Sequence, residues 1–239
     1  MRPQIVVEEH ALWDLESLGR ATRLADWMFD QFSGAAKGAV VEVGAGIGTF
    51  SARLLAAGVQ SLLLIEPDDM CAGVLEERFA SDPRVRLVRE QLPDAPALLE
   101  QPDAFDFILC QNVLEHVRED SRAVEVMASS LRRAGRLGVL VPAGPRLFGS
   151  LDREYGHERR YTRAALRELL EQAGLKVTDL HPFNTLGIPG WWAKSRTGAT
   201  SLSSRSLALY EAMVPLWRPI EERVRLPWGL SLVAHAERT

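Results

Sequence analysis

GAVVEVGAGIGTF, residues 38 to 50, decides the fold. Val40, Val41 and Val43 form a short β-branched apolar run of the kind that makes a strand buried on both faces. The glycines then end it. Phe50, Leu54 and Leu55 start a helix that stops at Gly58, giving a strand, a glycine turn and a helix. Working downstream, the same alternation continues through SLLLIE at 61 to 66, a helix at about 69 to 80, RVRLV at 84 to 88, FDFILC at 105 to 110, a helix at about 119 to 132, and RLGVLV at 136 to 141. In the helix at about 119 to 132, Val124, Met127, Ala128 and Leu131 share one face suited to packing on a sheet. Strands alternating with helices imply βαβ units, a parallel sheet and right-handed crossovers.

Upstream, residues 9 to 34 carry Leu24, Trp27, Met28 and Phe32 at helical spacing and end in Ser33-Gly34. After Pro142 the rhythm breaks into a Gly/Pro-rich loop running to Arg160. Thr162 then N-caps a helix bearing Leu166, Leu169, Leu170 and Ala173 on one face, closed by Gly174. LKVTDL at 175 to 180 and WGLSLVAHA at 228 to 236 read as the last two strands. Between them lies a helix around Leu207 to Val214 that Pro215 is expected to bend or end.

The chain has 239 residues, 46% hydrophobic and 25% charged, a composition able to build a sizeable core. Its 28 Lys plus Arg against 32 Asp plus Glu leave a net charge of -4, without the basic footprint of a nucleic-acid binder. Cys71 and Cys110 lie far apart without metal-ligand spacing and read as buried free thiols, so no metal is expected. The N-terminal sequence lacks a secretory signature, and no apolar run approaches the ~18 residues of a membrane span, so a cytoplasmic protein without integral membrane association is expected.

The turn itself reads Glu42, Gly44, Gly46, Gly48, an E-x-G-x-G-x-G pattern. A dinucleotide fingerprint would place its third glycine three residues after the second. Here Gly48 follows Gly46 by two, and Glu42 would repel a pyrophosphate while suiting an ammonium or sulfonium group. Glu66 closes the second strand near the ~20-residue offset at which an acid reaches ribose hydroxyls. With VVEVGAGIGTF, LLLIEPDDM, FDFILCQNVLEHV and LRRAGRLGVLVP in this order, most of the chain resembles the class I S-adenosylmethionine-dependent methyltransferases.

The resemblance implies one α/β domain over 1 to 239, with a Rossmann-like, seven-stranded, mostly parallel sheet, helices on both faces and the last strand antiparallel. It implies an N-terminal helical lid at 1 to 37, bearing His10, Trp13 and Asp14, and a cofactor core at 38 to 141. Helical substrate-side insertions would fill 142 to 161 and 182 to 227. With S-adenosyl-L-methionine as cofactor, Glu42, Gly44, Ala45, Gly46 and Gly48 would hold the methionine part. Glu66 would accept the ribose hydroxyls, and Pro67, Asp68 and Met70 would line the adenine. The acid after the third strand is Glu90, with Gln91 beside it. Gln111 and Asn112 would flank the methyl-bearing end.

Methyl transfer from a sulfonium needs alignment, desolvation and, for a hydroxyl acceptor, a base. His116, in NVLEH, and His157, in GHERRYT, are the candidate bases; His116 alternatively caps the next helix or orders the pocket. Glu115 is expected to be a structural acceptor. The segment 156 to 162 resembles a bacterial small-molecule subgroup carrying G-H-x-R-R-Y-T. Tyr155, Arg159, Tyr161, Asn184, Trp191 and Trp192 are candidate acceptor-binding residues. Arg159, Arg160 and Tyr161 alternatively pin the loop to the helix after Thr162, and the tryptophan pair alternatively packs a cap.

The expected function is methyl transfer to a small organic acceptor, at oxygen with carbon next, in natural-product, quinone, sugar or lipid biosynthesis. A non-catalytic S-adenosylmethionine-binding partner protein and an NAD-linked oxidoreductase are the competing readings. The acceptor's identity and the oligomeric state stay open.

Overall fold

The computed structural model describes residues 21–197, 204–224 and 226–239. The expected lid residues His10, Trp13 and Asp14 lie outside them, and the first described helix is α1, Thr22–Asp30. It is followed by β1 (Ala39–Val43), α2 (Thr49–Ala56), β2 (Ser61–Ile65), α3 (Asp69–Phe79), β3 (Val85–Val88), α4 (Pro96–Leu99) and β4 (Phe105–Gln111). A 3₁₀ turn, Leu114–His116, leads to α5 (Asp120–Ser130) and β5 (Leu131–Pro142). A second 3₁₀ turn, Pro145–Leu147, precedes α6 (Ser150–Glu154), α7 (Arg163–Gln172), β6 (Leu175–Phe183), α8 (Gly187–Arg196), α9 (Ser204–Arg223) and β7 (Ser231–Arg238).

The seven strands form one sheet in the order β3-β2-β1-β4-β5-β7-β6. Strands β1 to β5 pair in parallel, and β7 runs antiparallel between β5 and β6, as expected of the last strand. Alternate residues of the central strands feed two separate cores. Val41, Val43, Ile108 and Val139 pack with α5 and α7 on one face. Val40, Leu64, Phe107 and Leu109 pack on the other with Trp27 of α1, Leu54 of α2 and Leu75 of α3. This two-sided burial is why the strands read as continuous apolar runs. It also leaves the carboxyl ends of β1 and β4, where the crossovers diverge, as the position for a ligand.

Two expected boundaries are corrected. β5 begins at Leu131, because the preceding helix stops at Ser130. The helix expected to bend or end at Pro215 does not end there: it runs from Ser204 through Pro215 and Pro219 to Arg223. A proline frees the carbonyl four residues earlier, and the guanidinium of Arg23 donates to the Glu211 carbonyl at 3.2 Å. The Glu211 carboxylate meanwhile accepts the Arg23 and Leu24 amides at 3.0 and 2.9 Å, capping the start of α1, where Ala21 has no side chain to do so. Both cysteines are buried free thiols, and burial pushes the Cys71 thiol up to about 12. Among the described residues no helix is long and apolar enough to cross a membrane.

Candidate functional site

The glycine turn leaves β1 with Gly44, Gly46 and Gly48 all at positive φ, 71°, 54° and 82°. Each lies in the left-handed region where a side chain is strained. At Gly48 a Cβ would stand 2.6 Å from Phe79 Cε2 and 2.9 Å from Leu75 Cδ2, so the turn can lie tight against α3 only without one. A Cβ at Gly44 would collide with Val113, which follows β4. The amides of Gly44 and Ala45 reach back to the Ile65 carbonyl at 2.8 and 3.3 Å, tying the turn to the end of β2.

Two acids meet at this turn. Glu42, buried in β1, accepts the Ser51 hydroxyl of α2 at 2.5 Å. Burial pushes its carboxyl up to about 8; the Ser51 hydrogen bond acts the other way, and Glu66 adds to the rise. Glu66 takes the Gly46 amide at 2.7 Å on one oxygen and the Asp68 amide at 3.0 Å on the other. Burial raises its carboxyl above the ordinary range against the pull of those two amides. Asp68 is engaged as the N-cap of α3, accepting from Met70 and Cys71 at 3.0 and 2.9 Å. Pro67 is half-buried beside it and Met70 is exposed.

Glu90 accepts the Ala97 amide at 2.8 Å, holding the start of α4, and Gln91 is exposed. Gln111 closes β4 with its amide buried and, among the described residues, both its oxygen and nitrogen without a hydrogen-bond partner. Buried amides are rarely left so. Asn112 follows, exposed and at φ 52°. A turn with three left-handed glycines, an acid beneath it and an unanswered amide at the neighbouring strand end fit the cofactor that the resemblance implies.

Beyond Gln111 the 3₁₀ turn brings Glu115 and His116 against the loop after β5. The Glu158 amide donates to the Glu115 carbonyl at 2.8 Å, fastening the two segments. The imidazoles of His116 and His157 meet edge to face, centroids 4.9 Å apart. His157 Nδ1 is 2.9 Å from Asp152, a fully buried carboxylate that also takes Arg160 Nε at 2.6 Å and the Gly149 amide at 2.9 Å. Burial works to raise Asp152, yet the bonds from His157 and Arg160 prevail and hold it below the usual range. Burial, helped by the neighbouring His157, pushes His116 down to about 4.

The loop's other residues divide. Tyr155 lies 6.0 Å from Trp191 and 6.1 Å from His157, centroid to centroid, making an aromatic wall beside the histidines. Trp191 also lies under the Arg160 guanidinium at 4.8 Å. Arg159 pairs with Asp120 at 2.7 Å. Arg160 also donates to the Ala143 carbonyl at 3.0 Å. Tyr161 is buried, its hydroxyl on Asp120 at 2.8 Å and the Leu114 carbonyl at 3.1 Å. These three pin the loop, the structural alternative for them. Asn184 is buried at φ 64°, accepting the Gly187 amide at 2.9 Å and the Tyr210 hydroxyl at 2.6 Å. Trp192 is exposed beneath Arg196.

Glu115, expected to be a structural acceptor, is fully buried, and among the described residues no other residue donates a hydrogen bond to its carboxylate. Burial pushes it up to about 8, with its own backbone amide and then Arg160 opposing. Ser51 and Asp152, which anchor Glu42 and His157, carried no spacing signal of their own.

A family model described as a methyltransferase domain matches residues 19–180. A ubiquinone biosynthesis O-methyltransferase of Aeromonas salmonicida (strain A449) is 25% identical over 168 residues, covering 65% of this chain and 70% of that protein. The solved S-adenosylmethionine-dependent methyltransferase of Mesorhizobium loti superposes with a TM-score of 0.60 at 14% identity, over 85% of this chain and 93% of that one. The [4+2]-cyclase SpnF does so at 0.60 and 19% identity, over 91% and 81%. At these identities the two structures show a shared fold.

Proposed function

The chain belongs to the methyltransferase-domain family, with S-adenosyl-L-methionine as its cofactor, and on that premise we propose that it methylates an oxygen of a small organic acceptor. When bound, the cofactor would supply a methyl group on a sulfonium, which the acceptor oxygen would take in line as the S–CH3 bond breaks and neutral S-adenosylhomocysteine leaves. Glu66 holds the ribose hydroxyls, and Glu42 answers the ammonium group directly or through water. Ala45 and the three glycines carry the methionine part on their backbone, and Gln111 and Asn112 flank its methyl-bearing end. Pro67 and Met70 border the adenine, while Asp68, Glu90 and Gln91 shape that rim through α3 and α4.

The observation that carries the oxygen reading is the pair of imidazoles beyond β4. His157, oriented by Asp152, is the first candidate base; His116 beside it stays neutral because burial pushes it down to about 4, which leaves it the weaker proton acceptor of the two. The named reaction of the Aeromonas relative supports oxygen as the target. Tyr155 and Trp191 give the acceptor an aromatic wall, in line with the small-molecule subgroup that GHERRYT resembles. Of the insertions at 142 to 161 and 182 to 227, the described residues after β5 and after β6 form the acceptor side of one domain.

Methyl-labelled cofactor offered with a panel of phenols, sugars, quinols and carboxylic acids tests this. The expected product is an O-methyl ether or ester, with turnover lowered in His116→Ala and His157→Ala. Label found only on carbon, or unchanged turnover in both variants, would overturn the oxygen reading.

A further inference from the structure

Glu115, His116 and His157 bring one carboxylate and two imidazoles together, with candidate ligand atoms all within 4.8 Å of one another. A carboxylate buried in an otherwise satisfied network ordinarily receives donors, because an unanswered one costs several kcal/mol. Among the described residues Glu115 receives none from any other residue, and of the backbone groups only its own amide acts on the carboxylate. Arg160, the nearby cation, turns its Nε and Nη1 to Asp152 and the Ala143 carbonyl instead. Each histidine is already oriented from behind. His157 has Nδ1 against Asp152, and His116 has a hydrogen bond to the Gly156 backbone, leaving the other nitrogen of each ring available. A carboxylate or carbonyl behind a ligating imidazole is the usual outer support of a metal centre.

We propose that Glu115, His116 and His157 bind a divalent transition cation of the zinc type. Two imidazoles and one carboxylate make a borderline donor set that suits zinc and its first-row neighbours, whereas magnesium and calcium prefer oxygens throughout. Three protein ligands leave a position open for an oxygen donor from outside. The site departs from the metal-free expectation, because its ligands come from two segments with no metal-ligand spacing in either. Cation binding is independent of the methyl acceptor. Its use as a Lewis acid on an acceptor hydroxyl, which would lose its proton to water, rests on the oxygen reading above. In that state the imidazoles serve as ligands.

The test is equilibrium dialysis of the full chain, first stripped with a chelator, against Zn²⁺ and separately against Mg²⁺, with bound metal quantified by mass spectrometry. The expected result is one Zn²⁺ retained per chain in preference to Mg²⁺. Glu115→Gln and His116→Gln should weaken retention by more than the roughly 10- to 100-fold typical of losing an outer-shell partner. Substituted Co²⁺ should give the visible bands of a low-coordinate site in the wild type. Titration with S-adenosylhomocysteine checks folding of each variant, and retained binding separates loss of the cation from loss of the cofactor site. If Glu115→Gln does not bind S-adenosylhomocysteine, His116→Gln and the wild-type Co²⁺ spectrum decide. Zn²⁺ retained equally by wild type and a folded variant, or no retention by the wild type, would overturn the proposal.

Discussion

Glu66 is where residue chemistry bears most directly on cofactor binding. Its carboxylate already spans the Gly46 and Asp68 amides at the floor of the turn. Removing it as Glu66→Ala should weaken S-adenosylhomocysteine binding by about 1.5 to 3 kcal/mol, the usual worth of hydrogen bonds to a charged group, and calorimetric titration reads this directly. Unchanged affinity would reject the assignment. Glu42 makes a different prediction. Its folded value near 8 against an ordinary 4.5 means the native chain keeps a proton that the unfolded chain has lost between those pH values. Stability contributed by the neutral form is therefore lost as pH rises through that window. Ser51, Glu66 and Arg78 surround it, and Glu115 adds a slope of the same sign. Thermal melts from pH 5 to 8 should show a smaller decline in Glu42→Gln than in the wild type; equal declines would count against it. The glycines and both acids were legible in the sequence because their chemistry depends on local spacing. That no other described residue donates to Glu115 was not, since Arg160 gives its donors to Asp152 and the Ala143 carbonyl instead.

At the scale of elements, the sequence showed strands and helices wherever periodicity was strong and failed where a distant side chain intervened. The Thr162 cap was readable because its bond to the Ala165 amide is local. The passage of α9 through Pro215 was not, because the carbonyl it frees is answered by Arg23, far away in the chain. Glu211 likewise caps α1 from a different helix. Glu211→Ala should therefore lower stability by about 0.5 to 2 kcal/mol, the range for losing a cap, as measured by urea denaturation; no change would mean that water satisfies those amides equally well. Gly48→Ala probes the turn against α3. A left-handed non-glycine residue costs about 1 to 3 kcal/mol, and the crowding by Phe79 and Leu75 adds to it, so a marked fall in melting temperature is expected.

For the whole molecule, the sheet order places β1 and β4 side by side, so the cofactor turn and the histidine pair rise from neighbouring strand ends. The sequence showed both motifs but not their juxtaposition, which comes from parallel pairing and from Glu158 fastening the loop after β5 to Glu115. The proposed function requires the cofactor to lie across Glu66 and Gln111 with its sulfur toward His116 and His157. A crystal structure with S-adenosylhomocysteine bound tests this most directly. Both ribose hydroxyls are expected on the Glu66 carboxylate with the sulfur facing the two histidines; ribose hydroxyls away from Glu66, or a sulfur turned from the histidines, would contradict the proposal.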